Sequence, residues 1–365
     1  MKHFDYFAPT EIIFGAGRVT EAGALAARYG KKAMLVTVPE FPAVAELYAK
    51  VKKSLADAGV ACVHYDGVIP NPTTELVTRG AELAKAEGVD VVIGLGGGSS
   101  MDTAKAIAVE ATHPGTAWDY NCHTAGPTEQ TLPILAISTT AGTGSQTTPC
   151  AVITKTSAKD LPASVTAQTG FDAFCHNFEA YLSVNTNPLV ECMALDAIRI
   201  IAAYLPRALA DGSDLEARSQ MAWADTLGGL TNASAGVTLP HGLGMQIGGH
   251  CPHVTHGQSL AVFYPAFTRY TYPAAEHKFA TVGRIFEPSL ERESDAVAAE
   301  RSCDAIDCFL KRIGLWINFR ELNVTKEDIR EIADCGQVLG DYANNPRVAT
   351  IPEMYELLMS CYDRK

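Results

Sequence analysis

The chain has 365 residues, of which 47% are hydrophobic and 19% are charged, and its formal net charge is −12. The length exceeds the size at which a single hydrophobic core keeps growing, so we expect two domains. The acidic balance and the lack of a basic tract argue against nucleic acid and anionic membranes as partners. The sequence has neither a signal-peptide pattern nor an apolar stretch of about 20 residues, which predicts a cytoplasmic protein.

Ten cysteines are scattered through apolar segments, and no C-x-x-C pattern occurs among them. Disulfide frameworks are typical of short secreted chains, which this chain does not resemble in length. We therefore expect these residues to be buried, reduced thiols.

Short apolar runs alternate with segments of helical periodicity through the first part of the chain. The runs with strand character are AMLVTV, ACVHYD, DVVIGL and LPILAIS. Between them lie FPAVAELYAKVKKSLADAG, TTELVTRGAELAKAEG and SSMDTAKAIAVEAT, whose apolar residues recur at helical spacing. This β-α-β pattern predicts an α/β domain with an open parallel sheet, which we assign to residues 1–160.

Two polar loops follow strands of this predicted sheet. The strand DVVIGL runs into Gly96–Ser99 and a helix that carries Asp102, and LPILAIS is followed by the hydroxyl-rich segment Thr139–Ser145. Glycines let a diphosphate approach backbone N–H groups at the positive end of a helix. Either loop alone can also be a tight turn with capping hydroxyls. Two such loops at the carboxyl edge of one sheet predict a nucleotide site.

Strand candidates vanish from about residue 161 onward. Long segments of helical periodicity replace them, among them PLVECMALDAIRIIAAYLPRALA, DLEARSQMAWADTLGGLTNASAG and SCDAIDCFLKRIG. The pattern predicts an all-α second domain, which we assign to residues 161–365.

Four residues of this second domain are candidate metal ligands. Asp172 and His176 lie four apart in GFDAFCHNFEAY, so they share one face of a helix and can bind one ion. His241 follows in LPHGLGM and His256 in HVTHGQ. A single histidine is usually a hydrogen-bonded core or surface residue, but half of the chain's ten histidines fall between positions 176 and 256. Mixed carboxylate and imidazole ligation suits Fe²⁺, Zn²⁺, Mn²⁺ or Co²⁺.

The order of these motifs resembles the iron-containing (group III) alcohol dehydrogenases, a family that includes lactaldehyde/propanediol oxidoreductase. The resemblance runs nearly end to end, through FAPTEIIFGAG, PNPT, GLGGGSSMDTAKAIA, ISTTAGTGSQTT, TGFDAFCHNFEAYLS and the C-terminal NPR. It implies a Rossmann-like dinucleotide-binding domain followed by an all-α metal-binding domain, as in dehydroquinate synthase. It also implies hydride transfer between a short-chain alcohol or diol and NAD or NADP, with Fe²⁺, or alternatively Zn²⁺, as the metal.

The resemblance assigns roles to particular positions of this chain. The metal would bind Asp172, His176, His241 and His256. The positions that match the family's dinucleotide contacts are Asn71, Gly97, Gly98, Ser99, Asp102, Thr139, Thr140 and Thr143. We expect a small alcohol or aldehyde substrate and a homodimer or larger homo-oligomer.

The chain departs from the family pattern around the cofactor and the metal. Val38 ends the strand LVTV where NAD-preferring members carry an Asp that binds the ribose 2′-hydroxyl, so NAD and NADP both stay open. Met245 occupies the position of a further histidine that is thought to assist proton transfer. His250 and His253 are therefore the candidate catalytic residues, and His253 is also a reserve metal ligand.

The segment ITKTSAKD is followed directly by LPASVTAQTG. Members of the family have additional residues between these two positions, including a ribose-contacting lysine and a further strand. Lys155 and Lys159 are the candidates for that lysine. We hypothesise that a segment is missing from the sequence between Asp160 and Leu161.

Two other functions stay open at this point. One is a dehydroquinate-synthase-like lyase, against which stands the lack of an Arg and Lys cluster in residues 161–260. The other is a non-catalytic, dinucleotide-binding relative, which the complete set of four ligands disfavours.

Overall fold

The computed structural model describes residues 8–70, 72–120, 126–149, 151, 153 and 165–364. The chain forms two compact units. The sheet unit contains Pro9–Thr140 and resumes at Ser145, and the helical unit contains Ala141–Gly144 and the helices from residue 165 onward. The predicted boundary near residue 160, the candidate lysines Lys155 and Lys159, and the Asp160–Leu161 junction lie outside the described residues.

The sheet unit alternates strands and helices, as the sequence predicts. Its strands are β1 (Lys32–Val36), β2 (Ala61–Tyr65), β3 (Val91–Gly96) and β4 (Ile134–Ser138). Its helices are α1 (Ala22–Ala26), α2 (Pro42–Asp57), α3 (Thr74–Glu87) and α4 (Gly98–Glu110), with short 3-10 helices at Arg18–Glu21, Ala117–Tyr120 and Ser145–Thr147. The four strand predictions and the three helix predictions are confirmed, and α1 is an additional short helix.

The order of the strands creates the edge at which a ligand can bind. All pairs are parallel, and the strands lie in the order β2-β1-β3-β4. Successive strands are therefore added on opposite sides of β1, and the carboxyl edge at such a switch point is where open α/β sheets bind ligands. Val36 pairs with Gly94, so Val38 and Gly96 each lie two residues beyond this pair. The loops that follow β1 and β3 thus begin side by side.

Helix α4 lies in close contact with strand β3. All six residues of β3 are buried. A Cβ atom on Gly94 would lie 2.9 Å from Met101 Cα and 2.9 Å from Ala104 Cβ, so a side chain at this position would clash with α4. Because Gly94 has no side chain, the first turns of α4, which carry Ser99 and Asp102, can lie directly against the strand.

The described part of the helical unit contains α-helices and short 3-10 helices, in agreement with the predicted all-α domain. Its α-helices are α5 (Val165–Leu182), α6 (Pro188–Ala210), α7 (Leu215–Ala235), α8 (Leu239–His250), α9 (His256–Thr271), α10 (Glu276–Phe286), α11 (Asp295–Arg312), α12 (Lys326–Asp334) and α13 (Ile351–Ser360). The 3-10 helices are Tyr272–Ala274, Pro288–Arg292 and Gly340–Asn344. None of the helices in the described ranges is both long and apolar enough to cross a membrane.

The cysteines only partly follow the prediction. All eight cysteines in the described ranges are free thiols, as expected. Four of them, Cys175, Cys251, Cys303 and Cys361, are buried. The prediction of burial is wrong for Cys62, Cys192 and Cys308, which are exposed because their helices and strand turn that face to solvent.

Candidate metal centre and dinucleotide loops

Helix α5 presents three polar side chains on one face. Asp172, His176 and Glu179 follow one another at spacings of four and three residues, so they project in similar directions from the helix axis. All three are buried, with 4%, 6% and 0% of their surface exposed. Phe171 and Phe174 project from another side of the helix into the hydrophobic core, which fixes the orientation of α5.

Two further helices bring histidines to Asp172. His241 is the third residue of α8, and His256 is the first residue of α9. Thr255 and Gln258 form a capping box that fixes where α9 begins. The Nε2 atoms of His241 and His256 lie 3.4 Å and 3.6 Å from Asp172 Oδ1. One ligand atom from each of these three residues lies within 4.8 Å of the other two, a separation that one metal ion can bridge.

His176 lies beside this group of three. Its ring stacks on the ring of His241 with 4.5 Å between centroids, and its Nδ1 is 3.8 Å from Asp172 Oδ1. The same Nδ1 lies 3.1 Å from the carbonyl oxygen of Gly142. A carbonyl oxygen only accepts hydrogen bonds, so Nδ1 carries the proton and Nε2 keeps the lone pair. The structure thus places all four predicted ligands together, with His176 adjacent to the compact group rather than inside it.

The polar atoms at the centre of the site fit a divalent cation. Asp172 Oδ1 and His241 Nε2 are buried and have no hydrogen-bond partner among the described residues. Leaving such atoms unsatisfied costs about 1–3 kcal/mol each, and more for a charged group. A carboxylate oxygen and imidazole nitrogens around one point are a ligand set that Fe²⁺ and Zn²⁺ accept.

Glu179 contacts a candidate metal ligand, and the sequence analysis missed it. Its Oε1 lies 2.9 Å from His241 Nδ1 and accepts a hydrogen bond from it, which leaves Nε2 of that ring free to bind a metal. Its Oε2 accepts hydrogen bonds from the backbone N–H and the hydroxyl of Thr238, at 2.9 Å and 3.2 Å. A carboxylate behind a ligating histidine fixes the ring's orientation and raises its basicity. The available signal was its position seven residues after Asp172, on the same helix face.

The charges in the site are strongly coupled. Burial raises the pKa of Asp172, but the neighbouring imidazoles of His176 and His256 outweigh this effect and lower it to about 2. Burial lowers the pKa of His241, but the carboxylates of Glu179 and Asp172 outweigh it and raise the pKa to about 10. Burial lowers the pKa of His176 to about 4 and also lowers that of His256. The directions of these shifts favour a proton on His241 over one on His176 or His256 in the metal-free protein.

The two candidate catalytic histidines have other contacts. His250 Nδ1 lies 3.0 Å from the carbonyl oxygen of Gln246, one turn back in α8. His253 Nε2 lies 2.9 Å from the carbonyl oxygen of Leu322. Neither residue belongs to the compact group around Asp172.

Five of the predicted dinucleotide residues lie at the carboxyl ends of β3 and β4, namely Gly97, Gly98, Ser99, Thr139 and Thr140. Gly97 is the N-cap of α4, so Gly98 and Ser99 form the positive end of that helix. The Thr139 N–H donates to the carbonyl oxygen of Gly96 at 2.9 Å, and Thr140 lies within 3.5 Å of the point where a Cβ of Gly97 would be. Backbone N–H groups and hydroxyls at such an edge can bind a diphosphate.

Buried polar side chains support the start of α4. Asp102 Oδ1 accepts a hydrogen bond from the hydroxyl of Ser145 at 2.7 Å, and Lys105 Nζ donates to the same hydroxyl at 2.7 Å. Of the other predicted contacts, Thr143 belongs to the helical unit and Asn71 lies outside the described residues.

Comparisons with known proteins agree with these features. The family described as "Iron-containing alcohol dehydrogenase" matches residues 9–168, and the "Fe-containing alcohol dehydrogenase family, C-terminal" matches residues 166–362. The chain is 31% identical to the NAD-dependent methanol dehydrogenase of Bacillus methanolicus, over 97% of this chain and 98% of that protein. It is 33% identical to the 1,3-propanediol dehydrogenase of Citrobacter freundii, over 99% of each. An archaeal halo-thermophilic Red Sea brine pool alcohol dehydrogenase has a similar structure, with a TM-score of 0.92, 32% identity, and 99% and 100% of the two chains covered.

We predict that His256→Ala abolishes tight metal binding and that His253→Ala does not. The first change removes an imidazole 3.6 Å from Asp172, whereas the second removes only a hydrogen bond to a carbonyl group. Loss of a direct ligand should weaken metal affinity by more than the roughly 10–100-fold typical for an outer partner. Elemental analysis of both purified variants measures this, and the reverse result would make His253 the ligand.

We also predict that metal binding releases about one proton, because His241 must lose its proton to bind. The pKa of His241 is raised to about 10, so the proton competes with the metal throughout the neutral range and less so as the pH rises. The apparent Kd for Zn²⁺ should fall by up to about tenfold per pH unit from roughly pH 6.5 to pH 8.5. Titration calorimetry in buffers of different ionisation enthalpy counts the released protons.

Two variants sharpen this measurement. Glu179→Gln removes a carboxylate that raises the His241 pKa, so the dependence of Kd on pH should flatten and the affinity at high pH should fall. Glu216→Gln, at an exposed position of α7, is the matched control and should behave as wild type. A pH-independent Kd in the wild-type protein would contradict the assignment of the proton to His241.

Proposed function

The chain belongs to the iron-containing alcohol dehydrogenase family, and we propose that it oxidises a short-chain alcohol or diol, or reduces the corresponding aldehyde, with a divalent metal and NAD or NADP. The observation that carries this proposal is the group of Asp172, His241 and His256, in which Asp172 Oδ1 and His241 Nε2 are buried and have no hydrogen-bond partner among the described residues. The names of the two relatives above favour dehydrogenation over the lyase reaction that the sequence left open.

The residues of the helical unit would hold the metal and keep it in place. Asp172, His241 and His256 would supply ligand atoms, and His176 would join them through Nε2. A divalent metal, when bound, makes a coordinated alcohol more acidic and polarises a coordinated carbonyl group. Glu179 would hold the His241 ring in its binding orientation. The side chain of His256 is 39% exposed, so the site can be reached from its side.

The residues of the sheet unit would hold the dinucleotide. The N–H groups at the start of α4 point toward the carboxyl edge of the sheet and would bind the diphosphate, with Thr139 and Thr140 contributing from the neighbouring loop. Val38, which lies level with Gly96, would line the adenosine ribose. The dinucleotide supplies the hydride chemistry, and the protein supplies its position.

The family indicates the metal, and one relative together with Val38 bears on the dinucleotide. Fe²⁺ is our first choice because of the family, and Zn²⁺ is the alternative because the same ligands suit it. The name of the Bacillus methanolicus relative favours NAD, and Val38 leaves NADP open because it cannot repel a 2′-phosphate. A homo-oligomer and a cytoplasmic location stay predictions from the sequence.

An activity screen tests the function directly. The protein is loaded with Fe²⁺ or Zn²⁺. Alcohols and diols of two to six carbons are assayed with NAD and NADP, and aldehydes of the same lengths with NADH and NADPH. We expect turnover that a chelator abolishes and that Asp172→Asn lacks while remaining folded by circular dichroism. A protein that binds stoichiometric metal and dinucleotide but turns over none of these compounds would overturn the proposal.

We predict that Gly97→Val prevents dinucleotide binding. A Cβ at this position would lie 3.3 Å from Thr140 Oγ1, and the branched side chain would fill the space that a diphosphate needs. The Kd for NADH or NADPH, from fluorescence titration, should rise by at least about tenfold, which corresponds to about 1.4 kcal/mol. Gly126→Val is the control, since no atom lies within 4 Å of its Cβ position. Unchanged binding by Gly97→Val would show that this loop is not the diphosphate site.

We predict that Val38→Asp shifts cofactor preference toward NAD. The change adds a carboxylate where a 2′-phosphate would lie, and repulsion between like charges in a partly buried site costs on the order of 1–3 kcal/mol. The ratio of kcat/KM for NAD to that for NADP should therefore rise by about 5–150-fold. Val38→Asn, which is similar in size but uncharged, should shift the ratio less. An unchanged ratio would mean that Val38 does not line the ribose.

A further inference from the structure

We infer that Asp225 is a positioning residue for the metal site, because it holds the segment Ala141–Gly144 in the place where Gly142 accepts a hydrogen bond from His176. The inference rests on the proposed function, since the metal is the same. It concerns a residue of α7 that is not among the four candidate ligands and that the sequence analysis did not select.

A buried carboxylate holds one end of the segment. Asp225 is 1% exposed, and its Oδ1 accepts a hydrogen bond from the backbone N–H of Gly144 at 2.8 Å. A carboxyl group in this position is costly to bury unless its oxygen atoms accept hydrogen bonds. Its contact with a backbone N–H defines where the segment lies.

Two glycines let the segment fit against both neighbouring helices. Gly144 has φ +59°, and a Cβ there would lie 2.6 Å from Gly229 Cα in α7. A Cβ on Gly142 would lie 2.4 Å from Thr169 Cβ and 2.5 Å from the Thr169 carbonyl oxygen in α5. The backbone therefore contacts α7 at one end and α5 at the other, with no room for a side chain at either contact.

The helix that carries Asp225 also packs against the base of His176. A Cβ on Gly228 would lie 2.9 Å from Asn177 Nδ2 and 3.4 Å from His176 Cβ. The Asn177 amide donates to the Ala224 carbonyl oxygen at 3.2 Å, which ties α5 to α7 one residue before Asp225. The carbonyl of Gly142 and the ring of His176 are thus both positioned with respect to α7.

This arrangement affects metal binding through the tautomer of His176, that is, through which ring nitrogen carries the proton. Its Nδ1 donates to the Gly142 carbonyl at 3.1 Å, so the neutral ring has its lone pair on Nε2. Without that carbonyl, the ring would lose the hydrogen bond that selects the Nδ1–H tautomer. A ligand fixed in the binding tautomer before the metal arrives loses less entropy on binding, and outer contacts of this kind typically change metal affinity by about 10–100-fold.

The test uses the full chain without dinucleotide, so that an effect on the cofactor loop cannot be mistaken for an effect on the metal. The variants are Asp225→Ala, which removes the acceptor, and Asp225→Asn, whose amide oxygen can still accept from Gly144. Glu216→Ala, at an exposed position of the same helix, is the control. The first measurement is the Kd for Zn²⁺, by competition with a chromophoric chelator.

The second measurement is the tautomer of His176 in the metal-free protein. Long-range ¹H–¹⁵N correlation spectra of histidine-labelled protein distinguish the two tautomers, and the spectrum of His176→Gln assigns the signal. This readout needs neither metal nor turnover. An inactive wild-type protein with the expected tautomer and tight Zn²⁺ binding would therefore count against the proposed function and leave this inference standing.

We expect Asp225→Ala to raise the Kd at least about tenfold and to lose the single Nδ1–H tautomer, while Asp225→Asn stays within about threefold of wild type. Wild-type affinity and tautomer in Asp225→Ala would overturn the inference, and so would weaker binding with an unchanged tautomer. An Nε2–H tautomer of His176 in the native protein would overturn the inference as well, and this readout does not require Asp225→Ala to fold.

Discussion

The helical unit depends on burying one carboxylate among imidazole rings. Asp172 is almost completely buried, and an isolated charge in such a place costs several kcal/mol. His241, whose pKa is raised and whose Nε2 lies 3.4 Å from Asp172 Oδ1, offsets this cost. His256 Nε2 lies 3.6 Å from the same oxygen, so α5, α8 and α9 converge at one point. The hydrophobic core fixes the orientation of α5, because Phe171, Phe174 and Phe178 pack into it. The ligands of α5 project from another side of the helix. The packing of the hydrophobic face of α5 therefore also determines where its polar face, with Asp172, lies.

Much of the fold could be predicted because its signals are local. Short, largely apolar runs predicted the strands, and helical periodicity predicted α6 with its observed bounds of Pro188–Ala210. The strand order β2-β1-β3-β4 has no local signal, since it is set by which edges pair in space. Yet that order is what brings Val38 level with Gly96. The sequence therefore supplied the cofactor-binding candidates, and only the structure shows why the first and third strands supply them together.

The residues of the candidate site also differ in whether the sequence could reveal them. Asp172 and His176 are recognisable because helical spacing links them, and His241 and His256 because their motifs match a family. Glu179 contacts a histidine 62 residues later in the chain, and Asp225 contacts a backbone N–H 81 residues earlier. Contacts between such distant residues leave no pattern in a single sequence. The Gly142 carbonyl is harder still to predict, because a backbone oxygen has no sequence identity of its own.

The segment after β4 shows how one short sequence can meet two sets of requirements. Its first residues, Thr139 and Thr140, belong to the sheet unit and lie beside the glycine-rich loop, where hydroxyls and N–H groups can bind phosphate. Gly142 and Gly144 belong to the helical unit, where contacts with α5 and α7 leave no space for a Cβ. The glycines are thus explained by helix packing, while the two threonines remain available to a ligand at the carboxyl edge of the sheet. Helix packing therefore requires Gly142 and Gly144, and this requirement is independent of the dinucleotide contact that the sequence analysis predicts for Thr143.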